Sequence, residues 1–256
     1  WSLDTAALGT LTSAVQLGFI SGTLLFAISG AADRFAASRL FLACALLGAL
    51  ANLGFAWVAN GLGSALVFRF LTGLMLAGIY PIGMKLVVSW APERRGEALG
   101  WLVGMLTLGT AAPHLLRGIG VGVPWEWVVT LSSVLAVIGG LLIFHLGDGP
   151  HLPRGGVLNW GGVLHAFRLS GFRAAALGYF GHMWELYAFW TLVPLLVFQL
   201  LESTSSMATS GAVPLLSFVI VGIGGLGCIV AGRWSRRFGS APIAALALGT
   251  SGLICL

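Results

Sequence analysis

The residues best equipped for chemistry are His182 and Glu185, three apart in the run Gly178-Tyr179-Phe180-Gly181-His182-Met183-Trp184-Glu185. The stretch that holds them is otherwise apolar and lies between Arg173 and Glu202, with its centre near residue 187. As a helix rising about 1.5 Å per residue, it puts Glu185 about 3 Å and His182 about 8 Å from that centre. At about 100° per residue Gly178, His182, Glu185 and Phe189 share one face, with Trp184, Tyr187 and Trp190 on the other sides. Charge held in an apolar medium costs a few kcal/mol or more, so such groups face a cavity or a partner. Two readings follow: a proton or substrate site, since desolvated carboxyl and imidazole groups exchange protons near physiological pH, or a structural hydrogen-bonded pair. The proton or substrate site is the expected one. His182-x-x-Glu185 offers only two ligands to a metal, which is too few, and no cofactor is expected.

Two cations also lie within an apolar stretch. Arg69 and Lys85 sit in the segment 63–89, each about 12 Å from its middle at the helical rise and on roughly opposite faces. Arg69 reads either as a side chain reaching to the interface or as a cation for an anionic solute or a proton carrier; Gly73 and Tyr80 share its face. Lys85 reads equally as a cavity cation or an inner-surface anchor, and Pro81 between them can kink the helix. Gln16 and Asn52 are lone amides, more often glue between helices than solute ligands. His114 and Arg117, three apart after Pro113, form an outer vestibule or an interfacial pair.

These side chains need elements to hold them, and the composition says what those are. The chain has 256 residues, 58% hydrophobic and 8% charged, with a mean hydropathy of +0.98. A soluble domain carries about 25% charge, so an ordinary soluble protein is excluded, and the low polarity excludes wholesale disorder. A membrane-spanning helix needs about 20 apolar residues. Eight segments qualify, over 8–31, 39–60, 63–89, 97–119, 126–147, 172–200, 209–231 and 239–256. Turn signals separate them at Asp33-Arg34, Asn60-Gly61, Pro92 to Gly96, Gly122 to Pro124 and Glu202 to Thr204, and the longest break is 148–171. The 38 glycines suit helices that approach closely in a membrane. Cys44, Cys228 and Cys255 lie in apolar runs and read as small buried hydrophobes. Trp57, Trp90, Trp101, Trp125, Trp127 and Trp160 cluster near segment ends, as an interfacial belt would.

The 13 basic residues then sort by side. Arg34, Arg39, Arg94, Arg95, Arg154, Arg168, Arg173, Arg233, Arg236 and Arg237 fall in alternate loops. Only Arg117 falls in the opposite set. By the positive-inside rule the breaks near 32–38, 91–96, 148–171 and 232–238 are expected in the cytoplasm, with the chain multi-pass in the inner membrane. The net charge of +5 therefore reports topology, and nucleic acid is not an expected partner. Trp1 opens the chain without a methionine and Leu256 closes it inside an apolar run, as a piece cut from a longer protein would.

A weak repeat links Ser29-Gly30-Ala31-Ala32-Asp33-Arg34-Phe35 to Gly232-Arg233-Trp234-Ser235-Arg236-Arg237-Phe238-Gly239. At these residues the chain resembles the major facilitator superfamily, whose Gly-x-x-x-Asp-Arg-x-Gly-Arg-Arg type motif follows the second helix, with a degraded copy after the eighth. Asp33, Arg34 and Arg39 match the first copy, with Ser29 and Ala36 in place of glycines. Gly232, Arg237 and Gly239 match the second, with Arg236 where the acidic residue would be. Arg69 and Gly73 match the Arg-x-x-x-Gly pattern of the fourth helix, and Ala91 to Ala98 resembles the loop that follows. Gly104, Gly109 and Pro113 stand without the Gly-Pro dipeptide of family antiporters. Residues 178–185 resemble a bacterial branch loosely grouped with nitrate or cyanate carriers.

The resemblance implies an all-α, polytopic, two-bundle fold showing the second to ninth of twelve spans. The expected division is an N-terminal bundle over 1–147, a cytoplasmic linker over 148–171 and a truncated C-terminal bundle over 172–256. It implies a gate at Asp33, Arg34, Arg39, Gly232, Arg236 and Arg237, in which the carboxylate pairs with basic or helix-end groups in one state and releases in the other. The expected function is secondary transport of a small solute, an anion given Arg69 and Lys85, by alternating access with proton coupling, in a monomer that needs only solute, protons and bilayer. A non-transporting sensor or scaffold on the same fold is the alternative. Gly249-Thr250-Ser251-Gly252 fits the nucleophile pattern of intramembrane rhomboid-type proteases, but without a later His, and an enzyme is not expected. On this reading the 256 residues alone do not transport.

Overall fold

The computed structural model describes residues 4–120, 122–152, 165–204 and 211–254. All the regular structure there is helical. In chain order the helices are α1 (Thr5–Ser29), the single turn α2 (Ala31–Arg34), α3 (Ala37–Trp57), α4 (Leu62–Leu76), α5 (Tyr80–Trp90), α6 (Arg95–Gly118), α7 (Trp125–Leu146), α8 (Ser170–Thr204), α9 (Ala212–Phe238) and α10 (Ser240–Ile254), with a 3₁₀ turn at Pro92–Arg94 before α6. Among the described residues seven segments, with α4 and α5 taken as one, are long and apolar enough to cross a membrane, and α10 is a shorter apolar helix. Their outward side chains are large and apolar, from Leu50 and Ile138 to Trp184 and Leu226, the arrangement a lipid solvent requires.

Local chemistry explains most boundaries. Asp4 caps α1 by accepting from the Ala7 amide at 2.7 Å, and Gly30 ends it at φ +62°, a left-handed conformation that costs glycine little. The segment 63–89 is broken at Ala77–Ile79. Pro81 has no N–H to offer the Ala77 carbonyl, and the chain tightens there, with Gly78 and Ile79 donating to Met75 and Leu76, three residues back. Pro113 and Pro194, by contrast, lie inside unbroken helices.

Two expected breaks are helical. Glu202 to Thr204 continue α8, and 232–238 continue α9 to Phe238, where Gly239 at φ +86° turns the chain. Arginine is a good helix former and sits favourably at a helix C-terminus, so the charges read as a turn signal prolong α9. Likewise part of the break at 32–38 is the turn α2.

The helices form two compact units: Trp1–Pro92 with Val123–Leu158, and Glu93–Gly122 with Asn159–Leu256. The units are not consecutive along the chain as the expected division at 148–171 is, because α6 associates with the later helices. In the first unit α1 lies on α4, and α3 lies between α4 and α7. The α1–α4 approach is nearly backbone to backbone: a Cβ at Gly18 would run into the Phe70 carbonyl, and one at Gly73 into the Val15 carbonyl. In the second unit α6 lies along α9. A Cβ at Gly100 would meet the Cys228 carbonyl at 2.6 Å, and one at Gly104 the Gly225 carbonyl at 2.8 Å. Small residues gain close backbone packing where burial from water supplies no driving force. Val193 and Val197 of α8 complete a core with Ala111 of α6 and Val221 of α9.

Candidate functional site

Glu185 lies two residues from the midpoint of the 35-residue helix α8, and three polar side chains meet there. Its carboxylate accepts a hydrogen bond from the Ser251 hydroxyl of α10, and the other oxygen is 3.8 Å from His182 Nδ1. The shared face of His182 and Glu185 is thus met, one turn apart, and a donor is added from a second helix. Glu185 is about 31% exposed and His182 about 47%. An acid, an imidazole and a hydroxyl can accept a proton, pass it on, or bind a polar solute. Ser251 belongs to the Gly249-Thr250-Ser251-Gly252 pattern; here it holds a carboxylate.

Arg69 of α4 is half-buried and held from two sides. Nη1 donates to Asn52 Oδ1 at 3.2 Å, and the guanidinium carbon is 5.2 Å from the Phe55 ring centre. Asn52 in turn donates toward Ser133 Oγ at 3.1 Å, Ser132 Oγ at 3.2 Å and the Val129 carbonyl at 3.4 Å. The amide therefore ties α3, α4 and α7 together and orients the cation. Planar guanidinium offers several donors in a fixed fork; one spent on Asn52 leaves others for an anion.

Lys85 is not a second cation beside Arg69. Its ammonium lies 2.7 Å from Asp33 Oδ1, at the turn after α1. Asp33 thus pairs with a lysine of its own unit. The helix end nearby is taken by another acid: Asp148, after α7, accepts from the Ser38 amide at 2.7 Å and the Ala37 amide at 3.2 Å. Ala36, at the N-cap of α3, has no side-chain acceptor of its own. Burial pushes the Asp148 carboxyl up, but the hydrogen bonds from Ser38 and Ala37 and the charge of Lys85 outweigh it, so it lies below the usual carboxylate range. The strand of chain that follows α7 is fastened further by Trp90 Nε1 donating to the Gly147 carbonyl at 3.3 Å and by the His151 amide donating to the Ser89 carbonyl at 3.3 Å.

In the second unit the arginines after α9's apolar stretch find their acid on α6. Arg233 Nε lies 3.1 Å from Glu97 Oε1 and Arg236 Nη1 lies 3.4 Å from Glu97 Oε2. Both arginines thus pair with one carboxylate of α6. Gly232 serves approach rather than charge, since a Cβ there would meet the Gly96 carbonyl. Arg237 lies over Phe238, 5.4 Å from its ring centre.

Sequence reasoning did not single out Ser251, Asp148 or Glu97 as site residues. Glu97 had a signal, a lone acid at a helix start facing an arginine-rich surface. Nothing marked Asp148 as a cap for α3 or Ser251 as a partner of Glu185, because those partners are more than 60 residues away. Tyr80 is half-buried at the start of α5, and His114 is half-buried on α6, whereas Arg117, Arg34, Arg39 and Gln16 are exposed. Cys44 is buried. Arg154, Trp160 and Cys255, with residues 153–164 of the expected linker, lie outside the described residues.

Over 153 residues the chain is 30% identical to the 4-hydroxybenzoate transporter PcaK of Pseudomonas aeruginosa, covering 57% of this chain and 33% of that protein. It is 35% identical over 125 residues to the niacin transporter NiaP of Acinetobacter baylyi, covering 44% of this chain and 28% of that protein. It is 31% identical over 99 residues to the D-galactonate transporter of Escherichia coli, covering 38% and 23%. The chain thus spans about a third or less of the length of these relatives. Their names are those of carriers rather than enzymes. The sequence profile of the Major Facilitator Superfamily matches residues 1–256, and the chain belongs to that superfamily.

Proposed function

We propose that this chain forms the second to ninth spans of a twelve-span secondary transporter in the cytoplasmic membrane, which moves a small organic monocarboxylate by alternating access coupled to protons. The observation that carries the reading is Glu185, a carboxylate two residues from the midpoint of α8, held by Ser251 and beside His182. An acid at that depth is costly and marks ion or proton pathways. Arg69, held by Asn52, supplies the cation for the solute's carboxylate. With Lys85 engaged by Asp33, the case for an anion rests on Arg69 alone. The substrates named for the relatives above, 4-hydroxybenzoate, niacin and D-galactonate, are all monocarboxylates, which favours organic acids over nitrate or cyanate. Asp33, Arg34, Arg39 and Lys85 in the first unit, and Glu97 with Arg233 and Arg236 in the second, form charge contacts within each unit that break and re-form as the carrier changes state. The carrier works as a monomer.

The test uses the full-length carrier in proteoliposomes with an internal pH dye. Aromatic and sugar-acid carboxylates, then nitrate and cyanate, are added under an imposed proton gradient. Carboxylate entry with proton movement is expected in the wild type, and loss of the proton movement in Glu185→Gln. Proton-coupled entry that survives Glu185→Gln would remove Glu185 from the mechanism. No flux of any solute would favour a sensor or scaffold.

A further inference from the structure

Hydroxyl groups inside the described helices have a common habit. Thr72, Thr107, Thr191 and Ser217 each donate to the carbonyl four residues back, and Ser89 to the one three back. This satisfies the hydroxyl within its own helix, where no water competes. Thr250 does the same, toward Leu246 and Ala247 at 2.9 and 3.0 Å. Its neighbour Ser251 does not. That hydroxyl leaves its helix and donates to Glu185, 66 positions away.

The bond is sensitive to charge. An ionised carboxylate can only accept, whereas a protonated one carries a donor of its own. A serine hydroxyl has one hydrogen to give. While Glu185 is ionised, that hydrogen is committed to it. Once Glu185 takes a proton from water, its own O–H can turn to the serine oxygen, and the Ser251 hydrogen becomes free. The negative charge that would repel an anion disappears in the same step.

We propose that Ser251 is a solute-contacting residue of this site, whose hydroxyl passes from Glu185 to the solute's carboxylate when Glu185 is protonated. The inference rests on the reading of a proton-coupled carboxylate carrier and deepens it. Proton and anion then favour each other's binding, and by linkage the effect is reciprocal. The surroundings leave the exchange to these groups. His182 is the ionisable neighbour on α8, and α10 carries no ionisable side chain among its described residues. α9 carries Cys228, Arg233, Arg236 and Arg237, and α6 carries Arg95, Glu97, His114 and Arg117. Arg233 and Arg236 are engaged by Glu97, and among the described residues none of the α6 or α9 charges lies within ion-pair distance of Glu185.

The experiment compares wild type, Ser251→Ala, Ser251→Thr and Glu185→Gln in the full-length carrier. The first readout is KM for a carboxylate such as 4-hydroxybenzoate across the acid-to-neutral range. The wild-type KM should fall as the pH falls. Ser251→Ala should lose roughly tenfold of that dependence, the worth of one hydrogen bond to a charged group, and Ser251→Thr should restore it. The second readout needs no transport. The infrared carboxyl band that disappears in Glu185→Gln should shift in Ser251→Ala and stay in Ser251→Thr. An unshifted band overturns the pairing, and a shifted band with wild-type pH dependence overturns the hand-over. Wild-type carboxylate flux without proton movement overturns the parent reading and the hand-over together, and the wild-type control separates that failure from failure of Ser251 alone.

Discussion

Replacing Asp148 should unfasten the start of α3. The Ala37 and Ser38 amides that it accepts belong to buried residues, about 0% and 5% exposed, and Ala36 cannot cap them. The Ala37 side also belongs to the small core with Ile82 and Leu86. Loss of an N-cap acceptor costs about 0.5–2 kcal/mol. Here two donors are orphaned at once, so Asp148→Ala should cost about 2 kcal/mol, with water at this exposed position relieving part of the loss. Asp148→Asn keeps one acceptor oxygen but loses the second bond and the charge at a helix N-terminus, and should cost about 1 kcal/mol. The carboxyl lies below the usual range in the folded protein, so folding favours its ionised form. Its contribution is complete above the unfolded value of about 3.9 and is lost as the pH falls through the lower folded value. Solvent screening makes the charge part of this modest. The assay is equilibrium unfolding of the full-length carrier in mixed micelles, at neutral pH and at a series of acid values. Asp148→Asn should lose part of the acid dependence shown by the wild type. Equal stability of Asp148→Ala and wild type, or identical acid dependence in all three, would refute the long-range cap.

Gly100→Val should destabilise the α6–α9 contact by about 1–3 kcal/mol, the usual cost of overpacking, because its Cβ would meet the Cys228 carbonyl. Gly109→Ala, with nothing within 4 Å, should be neutral or slightly stabilising in the same unfolding assay. Arg69→Gln should raise KM for a carboxylate by about tenfold or more, the loss of a charge-assisted contact. Asn52→Ala should do part of this by freeing the guanidinium, and uptake kinetics distinguish the two. Glu97→Arg should abolish uptake and Arg236→Glu in the same molecule should restore part of it; no recovery would mean that the ion pair does not act as a unit.

The membrane helices were legible because each is a local property. A run of about 20 apolar residues must satisfy its backbone internally in lipid, and Gly30, at φ +62°, and Pro81, with no N–H, punctuate the runs. The helical face that joins His182 to Glu185 follows from a spacing of three. The extents of α8 and α9 did not follow, because Glu202 to Thr204 and Arg233 to Phe238 look like turns by charge and polarity alone. Arginine's helix propensity and its favourable place at a helix C-terminus prolong α9, with Glu97 holding Arg233 and Arg236. Lys85 shows the same limit in the other direction. Its position in the run was clear, but a choice between cavity and surface depended on Asp33, 52 residues earlier.

By itself the amino-acid order determined that this is a polytopic helical membrane protein with an arginine-rich side, a charged motif repeated after two spans and a titratable pair at the middle of another. Composition, periodicity and charge bias act over a few residues or a single loop, so they survive without knowledge of the fold. Only the tertiary structure decided which helix meets which, and therefore which polar groups are satisfied and by whom. Close approach of helices at Gly18, Gly73, Gly100 and Gly104, the cap that Asp148 lends to α3, the hold of Asn52 on Arg69 and the hydroxyl that Ser251 gives to Glu185 all join positions far apart in the chain. A polar atom in an apolar medium must find a partner, and only the packing says which one is within reach.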